Sequence, residues 1–541
     1  MAALGVDVAD GRWCDEEALV RSLGALRHLG MTGTKFGGPQ NHTILSSRAA
    51  KTERDPACAC ECTPIGLRVI DTGPNRLLHR FNKISIPEAT LLVKVLPMRA
   101  SHLEDFYSFL RLPSVSTDDA YSEKLTECAH WVVEKLTSAG LEARLVPTPG
   151  HPVVWGKNKH KPGRRTVLIY GHYDVQPPDP LDLWDSPPFE PVLKDGFVYA
   201  RGSTDNKGQI LSHILGVQEA LEKDGDLPVN IHFVIEGEEE IGSGNLGNFL
   251  HENRDALKSD VALVSDTGMI APGVPTMSYG LRGVTALEMK VRGPAIDLHS
   301  GIYGGAVANP ATALARILAT LHDKDGRVTV PGFYDDVQPL QDWERDAWRK
   351  IPIDADTELL KETGSSEPFG EKGFSTLERI WARPTAEING IGGGYQGQGT
   401  KTVIPSEAMA KLTFRMVPNQ QGDEILKLVR KHLTANTPPG VSLEMVDGHS
   451  GPWYLTDPHS AFGKAAQRAL KATFSRDVAL IREGGSIPIV SEFRRLLGLE
   501  TLLIGLALPG CRAHSPNESF PLENLDAGIR MNKAVLKEIA A

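Results

Sequence analysis

Residues 167–177 read VLIYGHYDVQP, and this segment decides how the chain is interpreted. Val167 begins an apolar run that is typical of a strand buried on both faces of a parallel sheet. The run ends at Gly171, and His172 and Asp174 follow it. Because ligands bind at the carboxyl ends of the strands in open α/β sheets, this imidazole and carboxylate predict a functional site.

The composition is that of a globular protein with more than one domain. The chain has 541 residues, of which 41% are hydrophobic and 23% are charged, and this length exceeds what one core ordinarily serves. Its net charge of −10 argues against nucleic-acid and membrane-surface partners, since both prefer a basic face. No apolar run approaches the roughly 20 residues that cross a bilayer, and the first residues do not resemble a secretory leader. The sequence therefore predicts a cytoplasmic protein.

From residue 98 onwards, strand and helix patterns alternate along the chain. The helical pattern KGQILSHILGVQEALEK (207–223) is followed by the strand patterns VNIHFVIE (229–236) and DVALV (260–264). Such alternation predicts an α/β fold, in which a mostly parallel sheet lies between helical layers. Near residue 280 the pattern changes to half-exposed strands such as TALEMKVRG (285–293), which predict a smaller α+β layer of βαββαβ order with a long insertion at about 325–395.

These changes of pattern suggest how the chain is divided. We expect residues 98–279 and 453–541 to form two parts of one catalytic domain, and residues 280–452 to form a smaller α+β domain inserted between them. Residues 1–97 show no sustained period and include the irregular segment CACEC (58–62), whose cysteine spacing does not fit a metal knuckle. We expect them to be a poorly ordered, dispensable extension, and the sequence leaves open whether they are translated at all.

Polar residues collect where the predicted strands end, and they share one chemistry, imidazole or carboxylate without thiolate. Several carboxylates in one cleft repel each other unless divalent cations are present, and nitrogen with oxygen ligands suits zinc, manganese or cobalt. Two cations need a larger ligand set with a shared carboxylate. Taken singly, each residue is more often part of a surface loop, and only their joint placement favours a metal site. The residues are His172, Asp174, Asp205, Glu239, Glu240, Asp266 and His514.

Two glycine motifs offer a competing interpretation as a dinucleotide site. GSGNLG (242–247) matches G-x-G-x-x-G, but three consecutive glutamates precede it and would repel a pyrophosphate. GGGYQG (392–397) follows no clear strand. A NAD-dependent oxidoreductase is therefore disfavoured. The chain contains no H-E-x-x-H, Walker or G-x-S-x-G motif.

Seven ordered motifs resemble a known family from about residue 98 to the end of the chain. They are GHYDVQP, ARGSTDNKG, EGEEEIGS, SDTG, DLHSGIYGG, EGGSIP and AHSPNE. In this order they resemble the dinuclear zinc metallopeptidases of the aminoacylase, carboxypeptidase G and carnosinase group. The motifs YGLRG, KTVIP and REGGSIP make the resemblance strongest to carnosinase-like cytosolic, non-specific dipeptidases.

The resemblance implies two divalent metal ions per subunit, Zn²⁺ or else Mn²⁺ or Co²⁺. The implied ligands are His172, Asp205 and Asp266 for one ion, and Asp205, Glu240 and His514 for the other. Glu239 would be the general base, and Asp174 would hydrogen-bond the second ring nitrogen of His172. With three glutamates in a row, a shift of this assignment by one residue stays open.

The resemblance also implies roles for the smaller domain, as a lid that forms a homodimer. His299 would reach the active site of the partner subunit and stabilise the oxyanion. Arg415 would bind the free carboxylate of a small peptide substrate, although its strand pattern alone favours a surface arginine. Thr402, Gly485 and Ser486 would line the same pocket.

The implied activity is hydrolysis of the peptide bond of dipeptides. An N-acyl amino acid deacylase or a carboxypeptidase on the same scaffold is the nearest alternative, since the catalytic residues would be the same. A metal-bound dimer without activity, acting as a binding protein, is a further alternative, and the complete ligand and base set argues against it.

Overall fold

The computed structural model describes residues 98–541. The expectations for residues 1–97 lie outside the described residues. Among the described helices, none combines the length and the apolar character that crossing a bilayer requires.

The described strands are numbered β1 to β18 in chain order. They are Glu142–Val146, Val153–Lys157, Thr166–His172, Val192–Lys194, Phe197–Tyr199, Asn230–Glu236, Val261–Val264, Thr276–Leu281, Gly283–Arg292, Leu298–His299, Thr385–Gly393, Val403–Ile404, Glu407–Met416, Ser442–Gly451, Tyr454–Leu455, Ala479–Glu483, Thr501–Leu503 and Ser519–Pro521.

The described α-helices are numbered α1 to α13 in the same way. They are Ala100–Leu110, Ser122–Ser138, Gly208–Asp224, Leu246–Glu252, Ser300–Tyr303, Pro310–Leu318, Asp342–Arg349, Ala355–Thr363, Thr376–Ala382, Gly422–Ala435, Ala461–Phe474, Pro488–Glu492 and Leu522–Ala540.

A large sheet carries the strands whose ends the sequence marked as functional. Its strand order is β1-β2-β6-β3-β7-β17-β8-β15, and β16 also pairs with β8. The central strands β6, β3, β7 and β17 are parallel, whereas β1, β2 and β15 pair antiparallel towards the edges. The predicted α/β class is confirmed, and the sheet is mixed, with its parallel part at the centre.

Helices cover both faces of this sheet, as its unbroken apolar strands predict. Along β3, Val167 and Ile169 point to one apolar cluster with residues of α3, and Leu168 and Tyr170 point to another with residues of α4. Alternate side chains of a strand point to opposite faces. Every residue of β3 is therefore buried, and β3 delivers His172 to the edge of the sheet from a rigid element.

A second sheet of four strands lies between the two parts of the large one in sequence. Its order is β11-β13-β9-β14, and all its ladders are antiparallel. With α6 and α10 packed on one face, it has the predicted βαββαβ order. Arg282 is the one residue that separates β8 of the large sheet from β9 of the second sheet.

The helices α7 and α9 of the insertion after α6 pack on the large sheet, whereas its first apolar residues, Val328, Val330 and Phe333, join the core of the second sheet. Trp348 and Trp381 belong to the apolar cluster of the large sheet, with ring centroids 5.1 Å apart. Glu344 of α7 is buried, pairs with Arg482 of β16 and accepts a hydrogen bond of 2.8 Å from the Tyr279 hydroxyl. The apolar residues of these two helices therefore join the larger core, although their sequence lies between strands of the smaller sheet.

Candidate metal centre

The carboxyl end of β3 lies against the turn that carries Asp205. Gly171 permits this approach, because a Cβ at that position would lie 2.8 Å from the Asn206 Oδ1 and 2.7 Å from the Ile210 side chain. Its neighbour His172 is fully buried, and its Nε2 lies 3.1 Å from the Asp205 Oδ1. Because Gly171 has no side chain, the His172 imidazole can approach the Asp205 carboxylate.

Asp205 presents one carboxylate oxygen to each of two imidazoles. Its Oδ1 faces the Nε2 of His172, and its Oδ2 lies 2.9 Å from the Nε2 of His514. These two histidines are far apart in sequence and approach the carboxylate from different elements. A carboxylate shared in this way is the arrangement expected of a ligand that bridges two cations.

Each imidazole has a second carboxylate beside it. The Nε2 of His172 lies 3.7 Å from the Asp266 Oδ1, and the Nε2 of His514 lies 3.2 Å from the Glu240 Oε2. Ligand atoms of His172, Asp205 and Glu240 also lie within 4.8 Å of one another. The structure therefore brings together two ligand sets, each made of one imidazole and one carboxylate, with Asp205 between them.

Asp174 lies behind this centre and contacts both His172 and the glutamate turn. The His172 Nδ1 is 3.0 Å from the Asp174 carbonyl oxygen and 3.3 Å from its carboxylate. The Asp174 carboxylate also accepts hydrogen bonds from the backbone N–H groups of Glu239 (3.3 Å) and Glu240 (3.1 Å). A proton on Nδ1 satisfies these acceptors and leaves the Nε2 lone pair directed at the centre.

The protonation of the centre indicates that it is built for cations. Burial lowers the pKa of His172, but contacts with Asp174, Asp205 and Asp266 outweigh it and raise that pKa well above its usual value. Asp205 and Glu240 raise the pKa of His514 to about 10. Without cations the imidazoles would hold protons to balance the carboxylates, and divalent ions would replace these protons. The oxygen and nitrogen donors fit a pair of transition-metal ions.

Of the three consecutive glutamates, Glu238 and Glu240 point in different directions. Glu238 faces away from the centre, because its carboxylate accepts hydrogen bonds from the His151 N–H (2.8 Å) and the Asn245 side chain (2.9 Å). Glu240 faces His514. Glu239 accompanies them on the same short turn, and burial, together with Asp266 and Asp205, raises its pKa well above the usual range despite the opposing effect of His172. The geometry therefore places Glu240 beside His514 and excludes Glu238 from the centre.

The loop that carries Gly485 and Ser486 lies close to the metal edge, which is the edge of the sheet with His172, Asp205, Glu240, Asp266 and His514. It follows β16, whose last residue, Glu483, accepts a hydrogen bond of 2.7 Å from the Ser278 hydroxyl. Burial raises the pKa of Glu483, the Gly268 N–H lowers it and the nearby Asp266 raises it further. The loop therefore lies close to the segment that follows the ligand Asp266.

Arg415 lies on β13, opposite Val284 of β9 and Thr385 of β11. Arg282 lies near Arg415. Burial and then the positive charge of Arg415 lower the pKa of Arg282 to about 10. The Arg282 Nε donates to the Gly484 carbonyl over 3.1 Å. Arg282 therefore connects the strand junction to the loop of Gly485, and among the described residues no acidic side chain forms an ion pair with Arg415.

His299 and Thr402 lie close together. His299 ends β10, Thr402 directly precedes β12, the two strands pair, and the Ser300 N–H donates to the Thr402 carbonyl over 3.0 Å. Both residues are exposed. Within residues 98–541, no hydrogen bond or ion pair joins this strand pair to the metal edge.

A comparison with protein families decides the identity of this arrangement. The model for "Peptidase family M20/M25/M40" matches residues 168–538, which include every metal-edge residue described above. The chain belongs to this peptidase family. The family resemblance found in the sequence is thereby confirmed.

Three proteins that are similar to this M20 peptidase are named as two dipeptidases and a carboxypeptidase. The "Cys-Gly metallodipeptidase dug1" of Schizosaccharomyces pombe is 33% identical over 80% of this chain and 94% of its own length. The human "Beta-Ala-His dipeptidase" is 34% identical over 74% of this chain and 79% of its own length. The structure of the M20 family metallo-carboxypeptidase Sso-CP2 from Sulfolobus solfataricus is 34% identical, has a TM-score of 0.72 and covers 81% of this chain and 99% of its own.

Sequence reasoning missed three residues that hydrogen-bond the proposed ligands, or the turn that carries one, in this M20 peptidase. The Asn206 side chain donates to Asp266 over 2.8 Å, and the Gln176 side chain donates to Glu240 over 2.9 Å. Glu518 accepts hydrogen bonds from the turn of Asp205. All three belong to the quoted motifs, in TDNKG, GHYDVQP and AHSPNE, so their proximity to the ligands in sequence was an available signal.

The directions of Glu238 and Glu240 give a prediction that separates a structural carboxylate from a ligand. Glu240→Gln should lose one of two bound metal equivalents, because an amide is a poor cation ligand. Glu238→Gln should keep both equivalents and lose about 1–3 kcal/mol of stability, because charged hydrogen bonds are weakened. Metal analysis after gel filtration and urea unfolding measure these effects. The reverse pattern would show that the assignment is shifted along the glutamates.

Proposed function

We propose that the chain is a metal-dependent dipeptidase that hydrolyses the peptide bond of small free peptides. The observation that carries the proposal is the Asp205 carboxylate, which faces the Nε2 of His172 at 3.1 Å and that of His514 at 2.9 Å. The names of the dug1 and Beta-Ala-His relatives support dipeptides as the substrate class. The predicted cytoplasmic location stays a prediction.

The residues at the centre would hold two divalent cations, Zn²⁺ or else Mn²⁺ or Co²⁺. His172 with Asp266 and His514 with Glu240 would each bind one ion, and Asp205 would bind both. When bound, such ions supply a water molecule whose pKa is lowered from 15.7 towards about 7 and polarise a carbonyl oxygen.

The chain's own residues would carry out the proton transfers. Glu239 would accept a proton from the attacking water and later deliver it to the leaving amine, so that one carboxyl group serves as base and then as acid. Its position on the turn is fixed because its N–H donates to Asp174, which also orients His172. Burial makes the neutral form of Glu239 accessible, which the second step requires.

The remaining predicted residues would select a short substrate with a free carboxylate. Arg415 would bind that carboxylate through two parallel hydrogen bonds. Thr402, Gly485 and Ser486 would lie along the substrate backbone. A carboxylate held at a fixed distance from the metal centre would favour dipeptides over longer chains.

The second sheet would act as a lid and form a homodimer. His299 and Thr402 are exposed at the paired strands β10 and β12. The apolar side chains of Ile302, on α5 directly after β10, and of Ile391, on β11 of the second sheet, are 70% and 65% exposed. Exposed large apolar groups on one surface are typical of an interface. The His299 Nδ1 accepts a hydrogen bond of 3.0 Å from the Gly301 N–H, so the neutral ring carries its proton on Nε2 and is ready to donate to an oxyanion of the partner subunit.

A substrate panel tests the proposal. The full chain, reconstituted with Zn²⁺ or Mn²⁺, should hydrolyse Cys-Gly, Ala-Gly and β-Ala-His with kcat/KM more than about tenfold above that for N-acetyl amino acids and N-blocked dipeptides. Preference for N-acetyl amino acids would indicate a deacylase, and preference for blocked peptides a carboxypeptidase. Binding of two metal ions without any hydrolysis would favour the inactive binding protein.

A further inference from the structure

One buried carboxylate holds the turn that carries Asp205. The Glu518 Oε1 accepts hydrogen bonds from the backbone N–H groups of Thr204 (2.9 Å) and Asp205 (3.1 Å). Its Oε2 accepts from the Gly202 N–H (2.8 Å) and from the Arg201 Nη1 (2.8 Å). Glu518 is fully buried, so these four donors are its partners in place of water.

Glu518 also belongs to the segment that carries His514. Strand β18 begins at Ser519 and pairs with β5, and the Ala200 N–H donates to the Glu518 carbonyl over 3.1 Å. The backbone of the His514 segment is therefore fixed to the backbone that leads into the Asp205 turn. Glu518 extends this attachment along the turn itself, as far as the N–H of Asp205.

We propose that Glu518 is a positioning residue that sets the bridging orientation of Asp205 between the two cation sites, an inference that rests on the proposed function. Its charge suits the task, because converging backbone N–H groups form a concave site for an anion. Gly202 adopts φ +81°, a conformation that favours glycine and directs its N–H to the same carboxylate. Without Glu518, the N–H groups of Thr204 and Asp205 would lose their buried acceptor, and the turn would no longer hold the Asp205 side chain in this orientation.

Glu344 provides a matched control that separates a positioning role of Glu518 from a merely structural one. Glu344 is also buried, pairs with an arginine (Arg482) and accepts from a backbone N–H, that of Gln341, over 2.8 Å. It contacts none of the proposed metal ligands. Glu518→Gln and Glu344→Gln should both lower stability, since each leaves a buried arginine with a neutral partner, but Glu518→Gln alone should change the metal centre.

The test is titration of the metal-free full chain with Mn²⁺, followed by electron paramagnetic resonance and by kinetics. The wild type and Glu344→Gln should bind two equivalents and show the spectrum of an exchange-coupled Mn²⁺ pair. Glu518→Gln should bind the second equivalent about 10- to 100-fold more weakly, with a weakened coupled spectrum, and kcat should fall while KM stays unchanged. Glu518→Asp keeps the charge but cannot reach all four donors, so it should show a smaller effect of the same kind.

An unchanged coupled spectrum and unchanged Mn²⁺ affinity in Glu518→Gln would overturn the inference. If that variant does not fold, Glu518→Asp provides the same test with the same criterion. Equal loss of Mn²⁺ binding in Glu344→Gln would show that the effect is general destabilisation, which also overturns the inference. A wild-type chain that binds fewer than two Mn²⁺ ions would overturn the proposed two-metal function itself, and this result differs from failure of the Glu518 role alone.

Discussion

Glu239→Gln is expected to bind two metal ions as the wild type does and to hydrolyse dipeptides about 10²- to 10⁴-fold more slowly. Glutamine has nearly the same shape as glutamate, so the backbone hydrogen bond from residue 239 to Asp174 is retained. What the variant loses is a group that takes a proton from water and returns it to the leaving amine. The expected change is therefore in kcat, with metal content and KM close to those of the wild type.

The dependence of activity on pH adds a second measurement for Glu239. A general base acts only when it is deprotonated, so kcat of the wild type should fall as pH decreases through the pKa of Glu239. Burial raises that pKa in the metal-free chain, whereas bound cations would lower it. The acidic limb should disappear in Glu239→Gln, whose residual rate has no such group to titrate.

Two outcomes would contradict the role of Glu239. Full activity in Glu239→Gln would show that another residue takes the proton. Loss of metal from Glu239→Gln would show that the residue is a ligand, and Glu240 would then have to be reassigned. Glu238→Gln serves as the control, because Glu238 bonds to His151 and Asn245 instead of facing the centre.

The sequence predicted that polar residues collect at one edge of the sheet, and it could do so because that edge depends on strands with a clear pattern. Val167 to Tyr170 are apolar without interruption, and such a run in an alternating α/β chain defines both a buried strand and the end at which ligands bind. His172 and Asp266 follow two such strands, so their proximity could be predicted from topology alone. The predicted fold class is confirmed for the same reason.

Other features depended on contacts that a sequence pattern does not specify. Glu238, Glu239 and Glu240 lie on one short turn, where no period determines which side chain faces the centre. Strand β16 was missed because ALIRE (479–483) is short and ends in charged residues. The insertion helices were grouped with the smaller domain, although Trp348 and Trp381 pack on the large sheet, because sequence position does not reveal which core a helix joins.

Glu518 illustrates why residues that support a site are harder to identify than ligands. A ligand can be proposed from its side-chain chemistry, but a supporting residue is defined by the backbone N–H groups that surround it. Those groups belong to Gly202, Thr204 and Asp205, more than 300 residues earlier in the chain. The sequence motif AHSPNE indicated that the segment was functional, but not that its one carboxylate would hold the backbone of a different motif.

A heterodimer of Glu239→Gln and His299→Ala subunits is expected to be active, although each homodimer is nearly inactive. Removal of an oxyanion donor should cost His299→Ala about 10²- to 10³-fold in kcat. In the heterodimer, one centre combines the intact Glu239 of the His299→Ala subunit with the intact His299 of its partner. That centre should work, so the heterodimer should have about half the turnover of the wild-type dimer, as expected for one intact centre of two.

The physical basis of this expectation is the position of the paired strands β10 and β12. His299 and Thr402 are exposed together, and no hydrogen bond or ion pair in the described part of the chain connects them to the metal edge. The ring of His299 is already fixed, because its Nδ1 accepts from the Gly301 N–H. If the chain forms the proposed homodimer, such a donor, oriented in advance, would act on an acceptor in the partner subunit.

The matched control places both substitutions in one subunit, beside a wild-type partner. If His299 acts across the dimer, this second heterodimer has no intact centre, because the wild-type Glu239 faces the substituted residue 299 of its partner. If His299 acts within its own subunit, the pattern reverses, so that this heterodimer keeps one active centre and the first has none. Isolating both heterodimers with two affinity tags and measuring dipeptide hydrolysis distinguishes the two arrangements. Full activity of the His299→Ala homodimer would show that His299 has no catalytic role in either subunit.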